Sequence, residues 1–237
     1  MGTRQIDVAL ASAEAAVRRG ESLAGTGFWS AVGEVKRRPE LVDSYANRIA
    51  AIDSAAFADW ALLRVPLAVG TSLMALATLV GVALIGVAYF IGSELWKVIV
   101  FYLGLGVLLV STHGLAHLVV GRLVGIRFTN WFIGTIKRPQ PGVKVDYATY
   151  LRAPAESRAW MHASGAIFTK VVPFLLVGAG LAADLPMWAV WGLFVVGVAA
   201  IATDILWSTD ASDWKRFSRE RSIAQESSSE RGIEPSR

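Results

Sequence analysis

The chain has 237 residues, 54% of them hydrophobic, with a mean hydropathy of +0.48 and nine tryptophans. That is too apolar for an ordinary soluble domain, where roughly 45–50% is usual. The formal charge of +4 is modest and no basic run is interleaved with aromatics, so nucleic acid is not an expected partner. There is no cysteine, which excludes a disulfide framework and a thiolate metal site, so any metal must be held by nitrogen and oxygen.

The opening MGTRQIDVALASAEAAVRRG has no continuous apolar core and carries acids early, unlike a secretory signal. Ile6, Leu10, Ala13 and Val17 recur at helical spacing, and so do Leu41, Tyr45, Ile49 and Ile52 after the helix-starting Pro39. The glycine-rich GTGFWS at Gly25–Ser30 separates the two runs. Residues 1–64 are therefore expected to form a pair of amphipathic helices lying on the membrane or against the bundle.

Four apolar runs follow, roughly Val65–Ile91, Trp96–Leu123, Ala159–Ala183 and Pro186–Trp207. Each approaches or exceeds the ~20 residues needed to cross a bilayer. Between the second and third, FTNWFIGTIKRPQPGVKVDYATYLRAPAESR carries prolines, glycines and alternating Val143 and Val145, which predict a hairpin or extended loop. The Ser- and Glu-rich end of the chain predicts a disordered tail. The expected fold class is an all-α integral membrane protein with about four transmembrane helices, an amphipathic helical N-terminal region and a short loop or hairpin between spans two and three. Its parts would be residues 1–64, 65–217 and 218–237.

Lysine and arginine set the expected orientation. Lys36, Arg37, Arg38, Arg48 and Arg64 precede the first span. Arg122, Arg127, Lys137, Arg138, Lys144, Arg152 and Arg158 fill the long loop, and Lys215, Arg216, Arg219 and Arg221 follow the last span. The two short turns carry only Lys97. Both termini and the long loop are thus expected in the cytoplasm, the chain being a multi-pass protein of the cytoplasmic membrane. Trp160, Trp188, Trp191 and Trp207 near the span ends read as an interfacial belt. The basic runs KRRPE and KRFSRER read as contacts with the inner leaflet of the lipid bilayer.

The chemistry concentrates in STHGLAHLVVGRLVGIRF, Ser111–Phe128. On a helix His113 and His117 project from one face, close enough to share a cation. A lone histidine there would be an ordinary hydrogen-bonded core residue, but two within an apolar span mark a functional site. His162 begins the third span, and Asp204, Asp210 and Asp213 stand at or just after the end of the fourth. Two histidines and a carboxylate form a hydrolytic zinc set that leaves one position open. Asp204 and Asp213 are both candidates for the carboxylate.

HGLAHLVVGRLVGIRF resembles the HExxH helix of the site-2 protease family of intramembrane zinc metalloproteases, through both histidines, Arg122 and Gly125-Ile126-Arg127-Phe128. TDILWSTDASDWKRF stands where that family has a late Asn…Pro…Leu-Asp-Gly-Gly-Arg stretch, with Asp213 in the register of the third zinc ligand and Asp204 near the Asn. HASGAIFTK faintly echoes an Ala-Gly-Pro…Asn segment, keeping Gly165 and replacing the proline by Ala166. The resemblance covers about Trp96–Phe217. It implies a zinc ion on His113, His117 and Asp213, an intramembrane peptidase activity, and a membrane protein as substrate or regulatory partner.

This chain departs from the family at the general base, the glutamate after the first histidine, where it has Gly114; the Asn-Pro and Asp-Gly-Gly features are also missing. Zinc alone can bring a coordinated water to a pKa near ~7, while loss of an acid–base group costs roughly 10²–10⁴ in rate. The resemblance therefore implies a weak or inactive metallopeptidase. Asp204 and Asp146 are the carboxylates that could substitute. Gly114 itself either lets another helix approach along a stripe shared with Gly121 or enlarges the site. Lys170 lies within the third span, with Asp204 as its natural partner, either as a neutralised pair or in substrate or proton handling. His162, Lys170 and Asp204 are thus auxiliary candidates. Two readings of other classes stand beside this one. A small transporter or metal-handling protein would use the His/Asp/Lys cluster as a polar path, and a non-catalytic scaffold would bind no metal.

Overall fold

The computed structural model describes residues 1–136, 141–206, 209 and 212–230. They form two compact units. Among the described residues, the first unit gathers those of Met1–Leu67, Gly121–Ala159 and 219–230; the second gathers those of Ala68–Val120 and Trp160–Ser218. The polar loop and the tail therefore fold with the N-terminal helices, whereas the sequence divided the chain into three successive parts.

The first unit opens with three helices, where a pair was expected: α1 (Thr3–Arg18), α2 (Phe28–Arg37) and α3 (Pro39–Trp60). Gly27, in the left-handed region at φ 78°, turns the chain into α2. Arg38 leaves helical geometry because it precedes Pro39, and the proline then opens α3, where its missing N–H costs nothing. Most of the predicted stripes are buried, Ile6, Leu10 and Ala13 on α1 and Leu41, Ile49 and Ile52 on α3, with Val17 and Tyr45 half-buried, and Phe28 and Val35 of α2 join them.

Strands β1 (Leu63–Pro66), β2 (Phe128–Ile133) and β3 (Pro141–Val145) form one antiparallel sheet in that order. A hairpin or an extended loop was expected over β2 and β3, and the two strands pair; the third strand was not expected. Phe132 stacks edge-on against Phe57 at 5.0 Å and Trp60 at 5.8 Å. A Cβ on the facing Gly142 would stand 2.7 Å from the Phe132 ring, so that position must stay bare. The short α6 (Tyr147–Arg152) follows. Its N-cap is Asp146, whose carboxylate accepts from the Ala148 N–H at 3.1 Å.

The tail, expected to be disordered over 218–237, is helical in its described part. Helix α9 spans Asp213–Glu230, and Glu220 and Ile223 on it are buried. Glu220 accepts from Lys36 Nζ at 2.5 Å, Tyr150 OH at 2.8 Å and Arg158 Nε at 2.7 Å. Burial pushes the Glu220 carboxyl up, but the charges and hydrogen bonds of Lys36 and Arg158 outweigh it and hold it at about 2. Lys36 is thereby committed to the interior of the unit and is not an inner-leaflet contact. Residues 231–237 lie outside the described residues.

The second unit is built from α4 (Leu67–Ala88), α5 (Glu94–Leu123), α7 (Ala155–Ala182) and α8 (Met187–Leu206), all four long and apolar enough to cross a membrane. Phe101, Leu105 and Leu108 of α5 pack with Ile85 and Ala88 of α4 and with Ala189, Val190 and Leu193 of α8. Close helix approach occurs at Gly81 and Gly104, where a Cβ on residue 104 would stand 2.9 Å from the Gly81 carbonyl oxygen. Leu76, Leu79, Val82 and Leu175 are exposed, giving the outward apolar surface that a spanning bundle offers to lipid. Trp160, Trp188 and Trp191 of the expected aromatic belt are exposed too. Trp207, Lys137 and Arg138 lie outside the described residues.

Candidate metal centre

The i, i+4 spacing on α5 brings the imidazoles of His113 and His117 together, ring centroids 4.8 Å apart and planes nearly perpendicular at 88°. The third member arrives at the start of α9. Ser212 caps that helix, its Oγ accepting from the Lys215 N–H at 3.3 Å and its carbonyl from the Arg216 N–H at 3.0 Å. Asp213 is therefore presented in the first turn, where the helix dipole favours a carboxylate. His113 Nε2 lies 3.2 Å from Asp213 Oδ2, His117 Nε2 lies 3.1 Å from it, and the two Nε2 atoms are 3.3 Å apart. Of the two aspartates left open by the sequence, Asp213 is the one that meets the histidines; Asp210 lies outside the described residues.

The outer ring nitrogens fix what these inner atoms can do. His117 Nδ1 lies 2.7 Å from the Met161 carbonyl, so it must carry a proton and donate. His113 Nδ1 lies 2.8 Å from Thr169 Oγ1. That hydroxyl spends its own hydrogen on the Gly165 carbonyl at 2.9 Å, so it accepts from His113. The hydrogen-bond network thus assigns both neutral rings the same tautomer, with a lone pair on each Nε2. Donating the second ring N–H to a carbonyl or hydroxyl is how metal-bound histidines are oriented.

Three lone-pair atoms consequently face one another across 3.1–3.3 Å. One added proton can serve a single edge of that triangle, and two would set imidazolium cations against each other. A cation at the centre serves all three. Donors about 2.0–2.1 Å from a tetrahedral metal stand about 3.3–3.4 Å apart, against about 2.9 Å in an octahedron. The observed triangle is nearer the tetrahedral size. His113, His117 and Asp213 could therefore hold a metal ion.

Gly165 of α7 makes room for the site. A Cβ there would collide with Nε2, Cε1 and Cδ2 of His117, so only glycine lets the ring sit where it does. Two turns beyond Gly165, Pro173 lacks the N–H that would bond the Thr169 carbonyl, so α7 is short of a hydrogen bond at the turn that holds His113.

A cleft of about 290 Å³ opens beside the trio, lined by His113 and Asp213 together with Thr169, Lys170, Thr203 and Asp204 among others. Lys170 donates to Asp204 Oδ2 and to the Ala166 carbonyl at 3.1 Å, the pairing anticipated from the sequence. Gly114 is buried and does not line the cleft, which favours its packing role over an enlarged cavity. Asp146 spends its carboxylate on capping α6. His162 is buried on α7 and is not one of the three converging donors. The sequence reading missed Met161 and Thr169, the residues that orient the imidazoles. The i, i+4 spacing of Gly165 and Thr169 was the one trace of them. No family model matches the chain, and neither a curated protein nor a solved structure matches it.

Proposed function

We propose that the protein is a divergent intramembrane zinc metallopeptidase of the site-2 protease type, slow because position 114 carries glycine. The observation that carries the reading is the convergence of three lone-pair donors, His113 Nε2, His117 Nε2 and Asp213 Oδ2, with an open cleft on their remaining side. Two imidazoles and one carboxylate are a zinc set with room for a fourth ligand. Bound there, zinc would supply Lewis acidity and bring a coordinated water toward a pKa of ~7.

The chain's own residues do the rest. Met161 and Thr169 hold the imidazoles in their ligating tautomers, and Gly165 keeps the His117 ring unobstructed. The spans seat the site among helices apolar enough to lie in a bilayer, so a membrane-embedded segment is the natural substrate. An even number of spans supports a reading with both ends of the chain on one side, and the lysines and arginines outside the spans support the cytoplasm as that side. With no carboxylate at 114, the rate falls by roughly 10²–10⁴ unless another group of the site takes the proton.

The test is cleavage of dye-quenched casein by the purified chain in detergent. Slow cleavage that is abolished by a chelator, restored by zinc and lost in His117→Ala supports the reading. Cleavage that survives either the chelator or the substitution contradicts it.

A further inference from the structure

We propose that Asp204, held in place by Lys170, is the proton acceptor that Gly114 cannot be. The proposal rests on the metallopeptidase reading and deepens it. Asp204 and Lys170 line the same cleft as His113 and Asp213. The carboxylate of Asp213 is occupied by the two imidazoles. Among the described residues of the cleft, Asp204 carries the one remaining carboxylate.

Its placement is that of a positioned group. Asp204 belongs to α8 and Lys170 to α7, both long helices. The Lys170 ammonium is fixed from three directions: by Asp204 Oδ2, by the Ala166 carbonyl at 3.1 Å, and by the ring of Trp214, whose centroid lies 5.9 Å away. Lys170 engages Oδ2 and takes no part of Oδ1, on a residue that lines the cleft. An ion pair within spanning helices is costly and is a functional candidate by default. The competing groups are spent elsewhere, Asp146 on its cap and His162 away from the cleft.

In amide hydrolysis the oxygen of water bonds to the scissile carbonyl carbon as one of its protons passes to Asp204 Oδ1. The carbon–nitrogen bond then breaks as that proton moves to the leaving nitrogen. An amine and a carboxylic acid result, and the acid loses its proton to solvent. Lys170 stays protonated throughout and acts as a positioning residue.

The experiment reads zinc content and casein cleavage together in the wild type, Asp204→Asn, Asp204→Glu and the double variant Lys170→Gln/Asp204→Asn, which leaves no unpaired lysine in the span. The proposal expects Asp204→Asn to keep its zinc while kcat falls about 100-fold or more with KM little changed. Asp204→Glu should recover part of the rate, and the double variant should keep zinc and be as slow as Asp204→Asn. Lys170→Arg should retain more of kcat than Lys170→Met. Wild-type rates in zinc-loaded Asp204→Asn would overturn the proposal. So would loss of zinc in that variant and in the double variant, because Asp204 would then belong to the metal shell or the scaffold. A wild type that binds zinc but cleaves nothing would overturn it while leaving the metal site standing. A wild type that binds no zinc would sink both readings.

Discussion

Each unit of the molecule sets an acid among nitrogen-bearing side chains, Glu220 buried in the first and Asp213 half-buried in the second, and the two clusters obey opposite rules. Around Glu220, the Lys36 ammonium, the Tyr150 hydroxyl and the Arg158 guanidinium all aim hydrogens at two carboxylate oxygens. Around Asp213, both imidazoles spend their N–H groups outward, on Met161 and Thr169, and turn lone pairs inward. The first cluster is a structural ion network in which Arg158 Nη2 is the one buried donor left without a hydrogen-bond partner among the described residues. The second is a shell of donors arranged for a cation. Proximity alone would class the two together; hydrogen bookkeeping separates them.

That contrast can be broken by removing either acid. Glu220→Ala leaves Lys36 and Arg158 buried without their counter-charge, which should cost about 3–5 kcal/mol, read as a loss of thermal or denaturant resistance in the helices of the first unit. Asp213→Ala in metal-free protein should cost far less, because it relieves an unfavourable triangle of lone pairs. An equal cost for the two substitutions would erase the distinction.

Acid should act on the first cluster by nearly as much. The Glu220 carboxyl sits at about 2 in the folded chain against an ordinary 4.5. A depressed value means that its stabilisation is fully present above about pH 4.5 and is lost as pH falls toward about 2, some 3 kcal/mol in all. Glu220→Gln should flatten that arm of an acid-unfolding curve. An arm that keeps its slope in the variant would assign the effect to other groups.

Two smaller substitutions sharpen the account of the second cluster. Gly165→Leu places a side chain where the His117 ring lies, so zinc affinity should fall by about 100-fold, measured against a competing chelator. Thr169→Val removes the acceptor for His113 Nδ1 and frees that ring to change tautomer, for an expected loss of about tenfold. Unchanged affinity in both variants would mean that the ring orientations carry no ligating function.

The spans and the histidine pair were legible because both signals are local. A long apolar run reports a spanning helix whatever its neighbours, and α4, at Leu67–Ala88, falls within the predicted Val65–Ile91. Residues four apart on a helix share a face in any fold, so His113 and His117 announced themselves. The first unit hid because its determinants are distant in sequence. β1 has four residues and gains its identity by pairing with β2 some 65 residues later. The Lys36–Glu220 contact joins positions 184 apart, and it is what turns a polar tail into an ordered helix. Thr169 hid for the same reason, since its importance depends on the register of α7 against α5.

The most direct test of the account is the metal content of detergent-purified protein, prepared without chelators and with zinc supplied, in the wild type, His113→Ala and Asp213→Ala. The account predicts about one zinc per wild-type chain and none held in either variant. A wild type that carries no metal would contradict it and return the histidines to the packing of the bundle. Zinc retained equally by all three would show that it binds elsewhere.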